Sequence, residues 1–325
     1  AAGLTVASSV NNVALTGTTG NITNAVSFNN TGSLSIGASG GSQTYSGGIT
    51  ATSPSSINLA GTYVLGGSSY IGDSDTAITL TAPTTLSVST GGTLSIDGNV
   101  TASNIAITFT GNSGAMSFAG IITGSGALVK NGSNILTLSG INTYTGTTTI
   151  SAGTLALSGS GAIASSSSVA VTGTFDISAV TSGASITTLS GAGGVNIAGK
   201  TLTITNGSTT YSGVMSGTSG NLTISGGTQI LSGANTYSGT TTINSGATLQ
   251  IGNASTTGTL GSGAVTNNGT LTINRSDALT ISNAISGSGN LTQAGANTLT
   301  LTGSNSYGTT TINSGATLQI GNAST

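Results

Sequence analysis

The chain has 325 residues, with three Lys or Arg, five acidic residues that are all Asp, no His, no Cys and a net charge of −2. Three cations cannot form the clustered basic surface that nucleic acid or an anionic membrane requires, and without His or Cys there is no thiolate nucleophile, imidazole base or zinc site. Charged residues are 2% of the chain, but hydrophobic residues at 35% together with 54 glycines keep it away from the low-hydrophobicity, high-charge signature of disorder.

Helix is disfavoured throughout, because Gly, Ser, Thr and Asn are poor in helix interiors and the good exposed helix formers are nearly absent. At the N-terminus, "AAGLTVASSV" has neither a basic region nor a continuous apolar core, so it does not read as a signal peptide. From there on the pattern has period two. "GTLSIDG" (92–98), "ILTLSG" (135–140), "NLTIS" (221–225), "GTLTIN" (269–274) and "TLTLTG" (298–303) alternate aliphatic and polar residues, as short strands with one buried face do. Gly, Asn and Ser clusters separate them, and Asn131-Gly132, Asn206-Gly207 and Asn268-Gly269 are turn dipeptides that tolerate positive φ. Pro54 and Pro83 are the only prolines, so nearly every backbone N–H is free to join a ladder.

Internal repetition narrows the all-β choices. The block 239–256 is identical over its whole length to 308–325, and "LTLSGINTYTGTTTISAGTLALSG" (136–159) is a third copy. Matched lead-ins precede all three, giving repeats at 120–159, 213–256 and 284–325, while coils in 1–119 are more divergent. The last copy reads "SNSYGTTT" where the second reads "ANTYSGTTT", one residue short. Tyr144, Tyr237 and Tyr307 recur at unequal spacing, which suits an open solenoid better than a propeller that must close a ring. Leu136/Leu138, Ile150 and Leu155/Leu157 are expected to mark three strands of one turn. The expected architecture is a right-handed parallel β-helix, or β-solenoid, of about 20 residues per coil, drawn out as a rod with a thin aliphatic core and outward Thr, Ser and Asn ladders.

The segment "LSGANTYSGTTTINSGATLQIG" resembles the autotransporter-associated β-strand repeat, also called the passenger-associated transport repeat. The resemblance is close at 136–158, 231–252 and 301–321 and looser at "TYSGGI" (44–49) and "TYSGVMSG" (210–217). It implies a secreted parallel β-helix on a bacterial surface passenger and says little about a ligand. The chain stops within a repeat, so the array is expected to continue beyond it. No run approaches the ~18 apolar residues of a membrane-spanning helix, and no C-terminal membrane barrel with aromatic girdles is visible.

Candidate chemistry is sparse. Asp73 and Asp75 in "IGDSDT" form the only acidic pair, with Asp97, Asp176, Lys130, Lys200 and the Arg275/Asp277 pair elsewhere. Asp73 and Asp75 are weak candidates for a Ca²⁺ site or a glycosidase pair, set against a turn role in which their side chains cap backbone N–H groups. Arg275 and Asp277 read as a surface ion pair. No catalytic or cofactor-binding residue is assigned, and no cofactor is expected. The repeat positions Tyr144, Tyr237, Tyr307, Gly146, Gly239, Gly308, Ile150, Ile243 and Ile312 are expected to carry architecture. The tyrosines have two readings: coil corners with half-buried rings and wet hydroxyls, or stacking platforms for sugars. The functional expectation is a non-enzymatic extracellular structural or adhesive solenoid, either a surface passenger or a fibre subunit. Its partners would be further copies of itself, through near-zero net charge and free strand edges, or cell-surface glycans. The alternatives are a binding module using a Thr/Asn/Tyr face for glycan or, less favoured because "TTTI" occurs only three times, ice, and a polysaccharide-active β-helix enzyme.

Overall fold

The computed structural model describes residues 3–321, and among them the regular elements are strands, with no helix. The strands pair in parallel with partners about one coil away, building a β-solenoid of about 16 turns at roughly 20 residues each. Buried parallel sheets usually read as continuous apolar runs because both faces are covered. Here one face looks into the solenoid and the other outward, so the strands keep the strict alternation of a half-buried sheet. Strand Thr201–Ile204 alternates half-buried and buried positions, as do Asn221–Ile224 and Thr298–Leu301. The chain divides into two compact units, Ala1–Ser167 and Ser168–Thr325.

In the first unit, strands Thr93–Ile96, Met116–Phe118, Ile135–Leu138 and Thr154–Gly159 stack in that order. Their registers place Leu94, Met116, Leu136 and Leu155 in one inward column and Ile96, Phe118, Leu138 and Leu157 in the next. Leu155 and Leu157 are therefore not a third side of the coil that holds Leu136 and Leu138. They are the same side one coil later. All four phenylalanines go to the core: Phe28, Phe109, Phe118 and Phe175 are buried, with Phe109 and Phe118 edge-to-face at 6.2 Å between centroids.

In the second unit one inward column runs Leu202, Leu222, Thr241, Val265, Ile285, and another runs Leu249, Leu271, Leu291, Thr310. Polar groups also enter the core and bond locally. Gln293, fully buried, donates to the carbonyls of Gly295 and Asn297, and buried Gln229 donates to those of Leu189, Thr209 and Ile230. The step from coil to coil is not constant. It is 19 residues from Asn221 to Thr240 and 24 from Asn235 to Thr259.

Candidate binding surfaces

The repeat tyrosines are interior. Tyr144 and Tyr237 are 1% and 0% exposed, which removes both from any sugar-stacking face and corrects the expectation of a half-buried ring with a wet hydroxyl. Each hydroxyl shares a hydrogen bond with the threonine four residues on: Tyr144 with Thr148 at 2.6 Å and Tyr237 with Thr241 at 2.7 Å. Thr148 Oγ1 is in turn 2.8 Å from Ser166 Oγ, which donates to Gly146 O. Burial pushes both phenols above their ordinary range. The missing residue of the third copy breaks this arrangement. Tyr307 is half-buried, and its hydroxyl meets Thr310, three residues on, at 3.1 Å.

The other repeat positions lie beside them. A side chain at Gly146 would strike the carbonyl of Gly126 one coil below, and one at Gly239 would strike Gly220 and Asn221. Gly308 sits similarly close to Ser288 O. Ile150 and Ile243 are fully buried, whereas Ile312, in the last coil described, is 49% exposed.

The charged residues are scattered and engaged. Asp73 lies in the turn between strands Ser68–Ile71 and Ala77–Val88, not in a strand, so it does not share a strand face with Asp75. Its Oδ1 accepts from Thr76 Oγ1 at 2.7 Å and from the Asp75 N–H at 3.1 Å, and these bonds, Thr76 first, hold its carboxyl below the usual range. Asp176 accepts from the Ser178 N–H and Asn196 Nδ2, and Asp97 from Ser95 Oγ. Lys200 donates to Thr181 O. Among the described residues, no three Asp, Glu, His or Cys side chains come together as a metal site.

Two cations are buried. Lys130 is fully buried, stacked between Phe109 and Ile150, and donates to the carbonyls of Gly132 and Ala152. Burial lowers its pKa to about 8. Arg275 is only 9% exposed rather than a surface group. It grips Asp277 through Nε and an Nη at 2.8 and 2.7 Å, and also donates to Gly258 O and Thr256 O, pinning the loop inserted after strand Thr248–Ser255.

What the outer surface offers is hydroxyls. In the second unit, Ser185, Thr203, Thr223, Thr242, Thr266, Ser286 and Ser306 pair in register on consecutive strands, one above another. Stacked strands sit ~4.8 Å apart, so this is an unbroken line of hydroxyls at strand spacing. Counting "TTTI" misses it, because only Thr242 comes from that motif. The signal was available only by aligning strands in register, because just two of the rungs, Thr203 and Thr223, lie between an inward Leu and Ile. A shorter mixed ladder in the first unit, Thr50, Tyr70, Ser95, Ser117 and Thr137, carries the exposed ring of Tyr70.

A cleft of about 420 Å³ opens on the second unit between segment 259–262 and strand Leu279–Ile281. Leu260, Leu279 and Ile281 line it, and the hydroxyl residues Thr236, Ser262, Thr280 and Ser282 stand at its exposed rim. Asn283 braces the wall by donating to the carbonyls of Gly261 and Gly263. No charged residue lines it.

The passenger-associated-transport-repeat model matches residues 128–157, 224–251 and 291–320. Each stretch contains one of the three tyrosine-threonine segments. No curated protein and no solved structure matches the chain.

Proposed function

From a β-solenoid in which three segments are passenger-associated-transport-repeats, we propose that the chain is the structural and adhesive part of an exported bacterial surface passenger and does no catalysis. The observation that carries this reading is the conjunction of those repeats with stacked coils whose outer surface is hydroxyl ladders and almost no charge. Asp73 holds a turn, Asp176 accepts from the Ser178 N–H and Asp277 holds Arg275, which supports a role without general acid–base chemistry. Among the described residues no helix is long and apolar enough to cross a membrane.

Glycans are the favoured partner over nucleic acid or lipid headgroups, because uncharged hydroxyl ladders complement polyols and offer nothing to phosphate. Self-association into fibres is the other route to surface function, through free strand edges. Protease treatment of intact source cells, followed by immunogold microscopy, tests the reading. Protease removal and label outside the cell are expected, as fibres or single projections. Label confined to the cytoplasm overturns the proposal.

A further inference from the structure

The cleft on the second unit has a feature that a hydroxyl-rimmed dent would lack. Strand Leu279–Ile281 is the edge of a three-stranded sheet, pairing with Thr298–Leu301 on one side and, among the described residues, with no strand on the other. Along a parallel ladder, successive residues turn their N–H and C=O alternately to the two neighbours. The Ile281 carbonyl accepts from Thr302 N, so Ile281 addresses the next coil and the Thr280 amide and carbonyl address the opposite side. That side is the cleft. An amide edge with both a donor and an acceptor thus faces a space lined by Leu260, Leu279 and Ile281 and rimmed by Thr236, Ser262 and Ser282.

We propose that this cleft binds an N-acetylhexosamine. The ligand's acetamido group supplies the carbonyl and N–H that complete the Thr280 edge. Its methyl and the ring C–H face lie on the leucine and isoleucine side chains, and its hydroxyls meet the rim. Backbone polar groups are strongly driven to find partners once water is displaced, and a neutral ligand matches a site without charge. An extended peptide has the same amide chemistry, but strand addition gains its affinity from a run of main-chain bonds. An edge of only three residues favours a single acetamido group.

The inference gives the adhesive reading a ligand and rests on that reading for its biological meaning, but the binding test needs no cell. The whole chain is titrated with the trimer of N-acetylglucosamine and with cellotriose, which has the same backbone without acetamido groups, and amide shifts are followed by NMR. Expected are shift changes at Thr259–Ser262 and 279–282, cellotriose weaker by about tenfold, and loss of binding in Ser282→Trp and Thr236→Trp at the exposed rim. Equal binding of the two trimers, shift changes elsewhere, or no binding overturns the proposal. Displacement of the acetylated trimer by a short uncharged peptide reassigns the cleft to strand addition and overturns it too. The wild-type shift map decides the matter even if a tryptophan variant fails to fold. A protein found on the cell surface that ignores both sugars refutes the cleft and leaves the passenger reading standing.

Discussion

Tyr237 shows what a single side chain contributes in a core this narrow. Its ring fills a coil corner, and its hydroxyl satisfies Thr241 Oγ1 away from water. Replacing it with Phe keeps the ring and leaves a buried hydroxyl without its partner, a loss of about 1–3 kcal/mol. Tyr307→Phe should be nearly silent, since that hydroxyl lies at an exposed contact. Urea denaturation of the two variants makes the comparison, and equal shifts would refute the buried-bridge account. Lys130 makes a second residue-scale prediction. Its folded pKa of about 8 lies below the 10.5 of the free side chain, so above pH 8 the unfolded chain holds the proton that the folded one has released. Stability should therefore rise with pH from about 8. The buried tyrosines act in the opposite sense, because their phenols are held protonated in the fold. The unfolded chain loses those protons as pH approaches about 10, and stability falls with them. Because five buried phenols oppose one lysine, a maximum between about pH 9 and 10 is expected, and Lys130→Met should abolish the rising limb. A wild-type curve already falling from pH 8 would contradict the assignment.

At the scale of elements, strands were legible from alternation alone because most strands carry inward aliphatic residues two apart, as in Leu136/Leu138 and Leu202/Ile204. Which strand stacks on which was less legible. Leu155 and Leu157 lie close enough in sequence to Ile150 to pass for its neighbour in one coil, and only register reveals them as the next. The hydroxyl ladder hid for the same reason, since its steps run from 18 residues, Ser185 to Thr203, to 24, Thr242 to Thr266, and carry its members out of any fixed period. The cleft was illegible altogether. It depends on where a strand edge is left unpaired, a property of pairing and not of composition. Arg275 was read as a surface group because charge is ordinarily solvated, and nothing in the sequence placed Lys130 inside. Backbone carbonyls exposed at turns gave both an interior alternative. Arg275 makes this testable, for its guanidinium holds two carbonyls of the inserted loop. Arg275→Met should cost about 1–3 kcal/mol and speed cleavage by added protease within 252–258. Arg275→Lys should restore little, because an ammonium cannot span Asp277 and both carbonyls from one planar fork. Full rescue by Lys would mean that charge alone, without the fork, fixes the loop.

For the molecule as a whole, stacking dictates how damage spreads. Each coil touches the coils before and after it, and stability in such arrays is a sum of local terms and nearest-neighbour interfaces. The core columns obey that rule residue by residue: Leu222 meets Leu202 and Thr241, and Thr241 meets Leu222 and Val265. Removing the Tyr237 side chain entirely should cost about 3–5 kcal/mol, the range for a buried aromatic, and that cost should stay near its coil. Native-state hydrogen exchange on Tyr237→Ala is the measurement. Protection is expected to fall first in strands Asn221–Ile224, Thr241–Ile243 and Val265–Asn267, which pair in succession, and in Thr228–Leu231, which precedes the deleted ring in the chain. Strands Thr93–Ile96 and Ile135–Leu138 in the first unit should keep their wild-type protection, because no interface they make has changed. A uniform drop across all strands would show that the coils unfold as one cooperative body. The identity of 239–256 and 308–325 would then be a requirement of global folding rather than the outcome of locally self-sufficient units being added one after another.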